Sequence, residues 1–297
     1  MERFTIGVDL GGTNLRVGLV DHMGNIHNEL NIGTEAHKGP DYVIKNMIEL
    51  IKEVKGEKSV FAVGVGAPGP LDTKKGVILD PPYLPGWYGI PFVHTLEQET
   101  GLKVILDNDA NAAALAESLF GAGQGYESSY YITVSTGVGG AFVFNGKVFQ
   151  GAQGYAGEIG NMVINPNGEK HSSLNRGALE GIASGTAIAR AGEQRLGLMG
   201  GTEEVFHAAL KGNDEATKII DEAITALSIG IANLAHAINP AIFILGGGVL
   251  KSEQQLLNPL RLKVKEYLYP ELQQTIEIVP ANLGTKAGVI GAAFLPY

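Results

Sequence analysis

Residues 5–20 read TIGVDLGGTNLRVGLV, and residues 130–144 read YYITVSTGVGGAFVF. Each is an apolar, β-prone run, a glycine-rich turn and a second apolar run. Residues 5–9 and 15–20 predict a hairpin whose turn comes from Gly11 and Gly12. Residues 130–134 and 141–144 predict another around STGVGG, residues 135–140. There is no short-period repeat. One plan used twice, with helices between, points to an α/β chain built from a duplicated domain with a cleft between the copies.

Outward from the first hairpin, residues 41–54 set Val43, Ile44, Met47, Ile48, Ile51 and Val54 at helical spacing. Residues 60–66 form a continuous apolar strand stopped by APGP. Residues 72–89, rich in Pro, Gly and aromatics, read as loop. A short strand at 104–106 runs into DNDANAAALAESLFG, residues 107–121, which begins a helix. After the second hairpin come helices near 180–196, 205–210 and 213–238. A strand follows at 242–245, ended by three glycines, then a helix near 253–269, a strand at 276–280 and a small-residue helix over 284–295. The composition shift at SLFGAGQGYES, residues 118–128, predicts a first domain over 1–117, with the helix of 284–297 packing back on it. The second domain is then 118–283.

The chain has 297 residues and carries 22 Lys+Arg against 31 Asp+Glu, a formal net charge of -9. That balance argues against nucleic-acid binding, which rewards clustered cations. No basic amphipathic stretch suits a membrane surface. The absence of cysteine excludes disulfides and thiolate metal sites and fits a reducing compartment, so a cytoplasmic protein is expected. The chain enters its first strand without a signal-peptide-like apolar segment. Its most apolar region, residues 224–250, is interrupted by Asn233, His236, Asn239 and Pro240. It reads as a buried helix and strand rather than a membrane span. His236 reads as a hydrogen-bonded core residue, and Trp87 and Tyr88 as loop aromatics that line the cleft or cover the core.

Several constellations carry chemistry. In DLGGTN, residues 9–14, glycines let backbone N–H groups approach an anion, Thr13 adds a hydroxyl, and Asp9 suits hydrated Mg²⁺. A plain hairpin turn with a surface acid fits the same residues. STGVGG repeats the pattern, and two such loops would clamp a triphosphate from both sides. In DNDANAAALAE, residues 107–117, Asn108 and Asp109 stand at a strand-to-helix junction. Asp109 suits a proton acceptor from an attacking hydroxyl, and Asn108 a sugar contact. Each of these polar residues is also a credible helix cap, the role favoured for Asp107. In GYAGEIGN, residues 154–161, and LEGIASG, residues 179–185, the isolated acids Glu158 and Glu180 suit pairs of sugar hydroxyls or are solvated loop charges. ILGGGV, residues 244–249, permits close approach of a flat nucleoside or simply makes a tight turn.

Together these residues resemble the ROK family (repressor, open reading frame, kinase). The resemblance runs through DLGGTN, GVGAPGP, LDNDANAAALAE, STGVGGAFVFNGKVFQGAQGYAGEIGN, LEGIASG and NPAIFILGGGV, in family order over nearly the whole chain. It implies the actin-like ATPase (ribonuclease H-like) fold, two domains with a central cleft, and transfer of phosphate from ATP to a hexose 6-hydroxyl, glucose first. It implies Asp109 as catalytic base and Gly66, Asn108, Glu158, Asn161 and Glu180 as sugar contacts. The ATP residues would be Asp9, Gly11, Gly12, Thr13, Asn14, Thr136, Gly137, Gly139, Gly247 and Gly248. Mg²⁺ would enter with ATP, held in part by Asp9. A homodimer is expected. N-acetylmannosamine, mannose, fructose and β-glucosides are alternative substrates, and polyphosphate an alternative donor. A sugar-sensing or repressor-type relative is a further reading, which would need an added DNA-binding module.

Two departures stand out. Family kinases commonly carry His at Asn161 and a cysteine cluster where this chain reads HSSLNRGALE, residues 171–180. His171, Ser173 and Ala178 occupy the cysteine positions, so no structural zinc is expected. Glucokinase-like members often have Asn where Tyr83 stands, which puts strict glucose specificity in question.

Overall fold

The computed structural model describes residues 3–79, 81, 84–251 and 253–297. In chain order the elements are β1 (Phe4–Leu10), β2 (Asn14–Asp21), β3 (Ile26–Gly33), α1 (Pro40–Lys55), β4 (Val60–Ala67), β5 (Leu71–Asp72), β6 (Val77–Ile78), α2 (Phe92–Thr100), β7 (Val104–Asn108) and α3 (Asp109–Phe120). Then come β8 (Ser128–Val134), β9 (Val138–Phe144), β10 (Lys147–Val148), α4 (Glu180–Ala183), α5 (Gly185–Leu196), α6 (Gly201–Leu210) and α7 (Asp214–Ala237). The chain ends with β11 (Ile242–Gly246), α8 (Asn258–Lys263), α9 (Pro270–Thr275), β12 (Ile278–Pro280) and α10 (Ala287–Phe294).

Two compact units emerge. Unit one comprises Met1–Gly125, Asn145–Ala156 and Asn282–Tyr297, and unit two Tyr126–Phe144 and Gly157–Ala281. These bounds differ from the 117/118 division read from sequence. Unit one continues to Gly125 and takes in the segment after β9. That segment follows an apolar strand without a change in composition, so nothing in its residues marks the crossing.

In unit one the strand order is β3-β2-β1-β4-β7, with β1 antiparallel to β2 and β4 parallel to both β1 and β7. The apolar stripe of α1, including Val43, Met47 and Ile51, buries against Val8, Leu10, Val17 and Val65. Truncating the fully buried Met47 to alanine removes enough packing to cost about 2–5 kcal/mol. The opposite face receives α10 in backbone contact. A Cβ on Gly7 or Gly64 would run into the Val289 or Ala292 carbonyl, so only glycine permits this approach.

In unit two, β9, β8, β11 and β12 lie side by side; β9 is antiparallel to β8, and β11 is parallel to β8 and β12. The face of α7 carrying Ile220, Ile224, Leu227 and Ile231 is buried in the core. Asn213 caps its start by accepting the Ala216 N–H at 2.9 Å. Among the described residues α7 alone has the length and composition of a membrane span. Its most apolar window is 67% buried inside the protein, which is the behaviour of a core helix.

The single helix expected over 180–196 is two. Ser184 turns extended and caps α5 by accepting the Ala187 N–H at 3.1 Å, which ends α4 at Ala183. The helix expected over 253–269 opens as a π turn, becomes α8 and finishes as a 3-10 turn. The strand expected from 276 begins at Ile278. Strand β3 and helix α2 were not legible, because HNELN and HTLEQET carry weak apolar periodicity. His236 is exposed rather than core, with its ring edge-on to Tyr269 at 5.0 Å. Trp87 is fully buried against Phe92, whereas Tyr88 is 82% exposed.

Candidate active site

The β-register of unit one aligns its candidate residues. Asp9 of β1 lies opposite Gly66 of β4, and Gly66 lies opposite Asp107 of β7, with Ala67 opposite Asn108. Three parallel strands thus end level, and their carboxyl ends are where open α/β sheets receive ligands. A Cβ on Gly66 would lie 3.5 Å from the Asp109 Cα, so the first turn of α3 sits directly on this strand end. Asn108 is the last residue of β7 and caps α3 by accepting the Ala110 N–H at 2.8 Å. The cap is therefore Asn108 and not Asp107, because the strand runs two residues further than the apolar pattern indicated. Asp109 opens α3, and its Oδ1 also lies 2.8 Å from the Ala110 N–H.

The first glycine loop is tight. The Gly11 N–H donates to the Asn14 carbonyl at 2.8 Å, and the buried Thr34 hydroxyl donates to the Gly11 carbonyl at 2.6 Å. The Thr34 N–H donates to the Thr13 carbonyl at 2.8 Å. Gly11 and Gly12 are not in the left-handed region, and a Cβ on Gly11 would lie 3.3 Å from the Asn14 carbonyl oxygen. Thr13 and Asn14 are exposed. Asp9 pairs with Arg16 at 3.1 Å; burial pushes its carboxyl up, and Arg16 opposes that shift. Sequence reasoning missed Arg16 and Thr34. The hairpin register, which sets Arg16 opposite Asp9, was a usable signal for the first; nothing marked Thr34.

In unit two the Ser135 N–H donates to the Gly137 carbonyl at 2.9 Å, closing the second glycine loop. The loop is fastened to the start of α5: the Gly185 N–H donates to the Ser135 carbonyl at 2.7 Å and the Thr186 hydroxyl to the Thr136 carbonyl at 2.8 Å. A helix N-terminus favours anions. Gly139 stands opposite Thr133 in the β8–β9 pair. Glu180, the first residue of α4, accepts the Val138 N–H on Oε2 at 2.9 Å. The Glu158 side chain is exposed at the surface, yet partial desolvation of its carboxyl, then the charge of Glu180, pushes that carboxyl up. Unit two therefore brings the two sequence-selected acids into one electrostatic field. Glu180 is tied to the second glycine loop, whereas Glu158 is exposed.

Asn161 follows one turn after Glu158, and its Oδ1 accepts the Asn175 N–H at 2.6 Å while the Asn175 amide returns a bond to the Asn161 carbonyl at 3.1 Å. His171 lies 3.5 Å from Glu169. Among the described residues no three His, Asp or Glu side chains group to hold a metal. Tyr83 lies outside the described residues.

Beyond the second glycine loop opens a cavity of about 620 Å³ lined by Ser135, Thr136, Thr202, Phe206, Gly248 and Val249. That volume lies in the range of small-molecule sites. Gly247 turns with φ 101°, where a Cβ would run into the Val134 carbonyl, and so brings Gly248 into the cavity wall. Thr202 and Phe206 carried no sequence signal, since they sit on an ordinary amphipathic helix.

Comparison with known proteins bears on this geometry. The family model described as "ROK family" matches residues 5–296. A glucokinase of Thermotoga maritima is 38% identical over 302 residues, covering 97% of this chain and 95% of the relative. The crystal structure of a ROK hexokinase from Thermus thermophilus matches with a TM-score of 0.91 and 36% identity, over 98% of this chain and 96% of that one. A ROK family glucokinase from Streptomyces griseus, solved with glucose and AMPPNP, matches with a TM-score of 0.81 and 33% identity over 98% of both chains.

Proposed function

Because this chain belongs to the ROK family and has the actin-like ATPase fold of its sugar kinases, we propose that it transfers the γ-phosphate of ATP to the 6-hydroxyl of glucose. It is a hexose kinase. The observation that carries the residue assignment is the level ending of β1, β4 and β7, which gathers Asp9, Gly66, Asn108 and Asp109 at one sheet end.

In this reading Asn108 and Gly66 receive the sugar, and Asp109 takes the proton from its 6-hydroxyl as that oxygen attacks phosphorus in line. Glu158, Asn161 and Glu180 bind the remaining hydroxyls. Gly11, Gly12, Thr13 and Asn14 offer one set of phosphate donors, and Thr136, Gly137 and Gly139 the other. The cavity bounded by Gly248 and Phe206 favours a nucleotide donor over polyphosphate, which has no base to place there. Asp9, a partly buried carboxylate beside the first loop, suits Mg²⁺, which typically takes one or two carboxylates together with phosphate oxygens and water. Mg²⁺ supplies neutralisation of phosphate charge.

The working enzyme is proposed to be a cytoplasmic homodimer without structural zinc; the lack of cysteine accords with a reducing compartment, and sedimentation would report the dimer. Glucose ranks first because relatives named glucokinase recur at 32–38% identity. An ADP-release assay across glucose, mannose, fructose, N-acetylmannosamine and a β-glucoside tests that ranking.

A further inference from the structure

Asp107 is a carboxylate that the transfer itself does not use, yet it is only 4% exposed. A buried carboxylate is costly unless its oxygens are hydrogen-bonded. Here both are. Oδ1 accepts the Asn108 N–H and the Asn111 amide, each at 2.7 Å, and Oδ2 accepts the Gln150 amide at 2.7 Å. Asn111 stands one turn into α3 and is itself buried. Bonds to an ionised acceptor are stronger than neutral ones, so this carboxylate is a firm anchor.

The third partner is the informative one. Gln150 is exposed and lies 43 residues away along the chain, in the same compact unit. It opens a loop whose ends close on each other, the Ala156 N–H donating to the Gln150 carbonyl at 3.1 Å. The Lys74 ammonium holds the middle of that loop through the Ala152 carbonyl at 3.4 Å. Two residues beyond Ala156 in sequence stands Glu158.

We propose that Asp107 and Gln150 are positioning residues for phosphoryl transfer. Asp107 fixes the β7–α3 corner that carries Asn108 and Asp109, and through Gln150 it fixes the loop that leads to Glu158. This inference rests on the hexose-kinase reading.

The test is a charge exchange. Gln150→Glu sets two carboxylates against each other and detaches the loop, which raises the KM for sugar about tenfold, the scale of one strong hydrogen bond. The KM for ATP stays near wild type, whereas the melting temperature falls, because the buried Asp107 loses the donor to its Oδ2, and recovers in the double variant. Adding Asp107→Asn supplies an amide that donates to the new carboxylate and restores the sugar KM to within about threefold. Amide exchange at Ala156 follows the same order, rising in Gln150→Glu and falling again in the double variant. A sugar KM unchanged in Gln150→Glu, or a defect that Asp107→Asn leaves in place, overturns the proposal. Wild-type enzyme that phosphorylates no hexose overturns the kinase reading instead, and exchange at Ala156 still decides whether Asp107 holds the loop.

Discussion

The Oε2 atom of Glu180 accepts the backbone N–H of Val138 at 2.9 Å. One end of that bond is the carboxylate proposed to hold sugar hydroxyls, and the other is the second glycine loop proposed to hold phosphate. Gly137 makes the bond possible, since a Cβ there would lie 2.6 Å from Glu180 Oε2. The glycine is thus needed for the packing of an acid from the sugar side as well as for approach of an anion.

Gly137→Ala is expected to push the Glu180 carboxylate aside and break its bond to Val138. Hydrogen bonds to charged groups contribute about 1.5–3 kcal/mol, which corresponds to roughly a 10- to 100-fold loss of kcat/KM for sugar. Steady-state kinetics with each substrate varied in turn measures this. Wild-type kcat/KM in the variant would show that the Glu180–Val138 contact has no functional weight.

Asp109→Asn keeps the size and hydrogen-bonding shape of the side chain but removes the base. Turnover is expected to fall at least ~100-fold, the scale of lost general-base catalysis, with sugar binding by calorimetry largely kept. Near wild-type turnover would remove Asp109 from the mechanism.

Desolvation and, next, the charge of Glu180 push the Glu158 carboxyl up from its ordinary value. As pH falls through that raised value Glu158 gains a proton and loses its capacity to accept from sugar hydroxyls, so kcat/KM for sugar declines on the acid side. Glu180→Gln removes the like charge and should move this acid limb to lower pH, whatever it does to the plateau. An unmoved limb would mean that Glu158 does not govern sugar binding.

Much of this was legible in the residues. The two strand–glycine–strand runs predict β1–β2 and β8–β9, and Asn108, Asp109, Glu158 and Glu180 stand out in the residues alone. What the sequence hid depends on contacts between distant segments. Thr34 reaches Gly11 from 23 residues away, and Gln150 reaches Asp107 from 43. Local pattern says nothing about either. Asp107 was misassigned because apolar periodicity stops at Leu106 while β7 continues through Asn108. The break at Ser184 was hidden because a serine inside a helical pattern reads as tolerated until its hydroxyl is seen capping α5.

The 161–178 loop is expected to hold its shape without zinc. The Asn161–Asn175 bonds, the Gly177 N–H to the Glu169 carbonyl at 2.8 Å and the Arg176 guanidinium to the Gly168 carbonyl at 3.0 Å cross-link it. A zinc-selective chelator should leave the melting temperature and Mg²⁺-supported activity unchanged. Stoichiometric zinc in tag-free protein, with destabilisation on chelation, would contradict this.

The central claim is transfer of the γ-phosphate of ATP to a hexose 6-hydroxyl, and phosphorus NMR of the reaction mixture tests it most directly. With protein, Mg²⁺, ATP and glucose present, the account predicts growth of a phosphomonoester signal coupled to the two protons on C6 of glucose, matched one for one by ADP. Loss of ATP to inorganic phosphate alone, or no phosphomonoester with glucose or any other hexose offered, would contradict it.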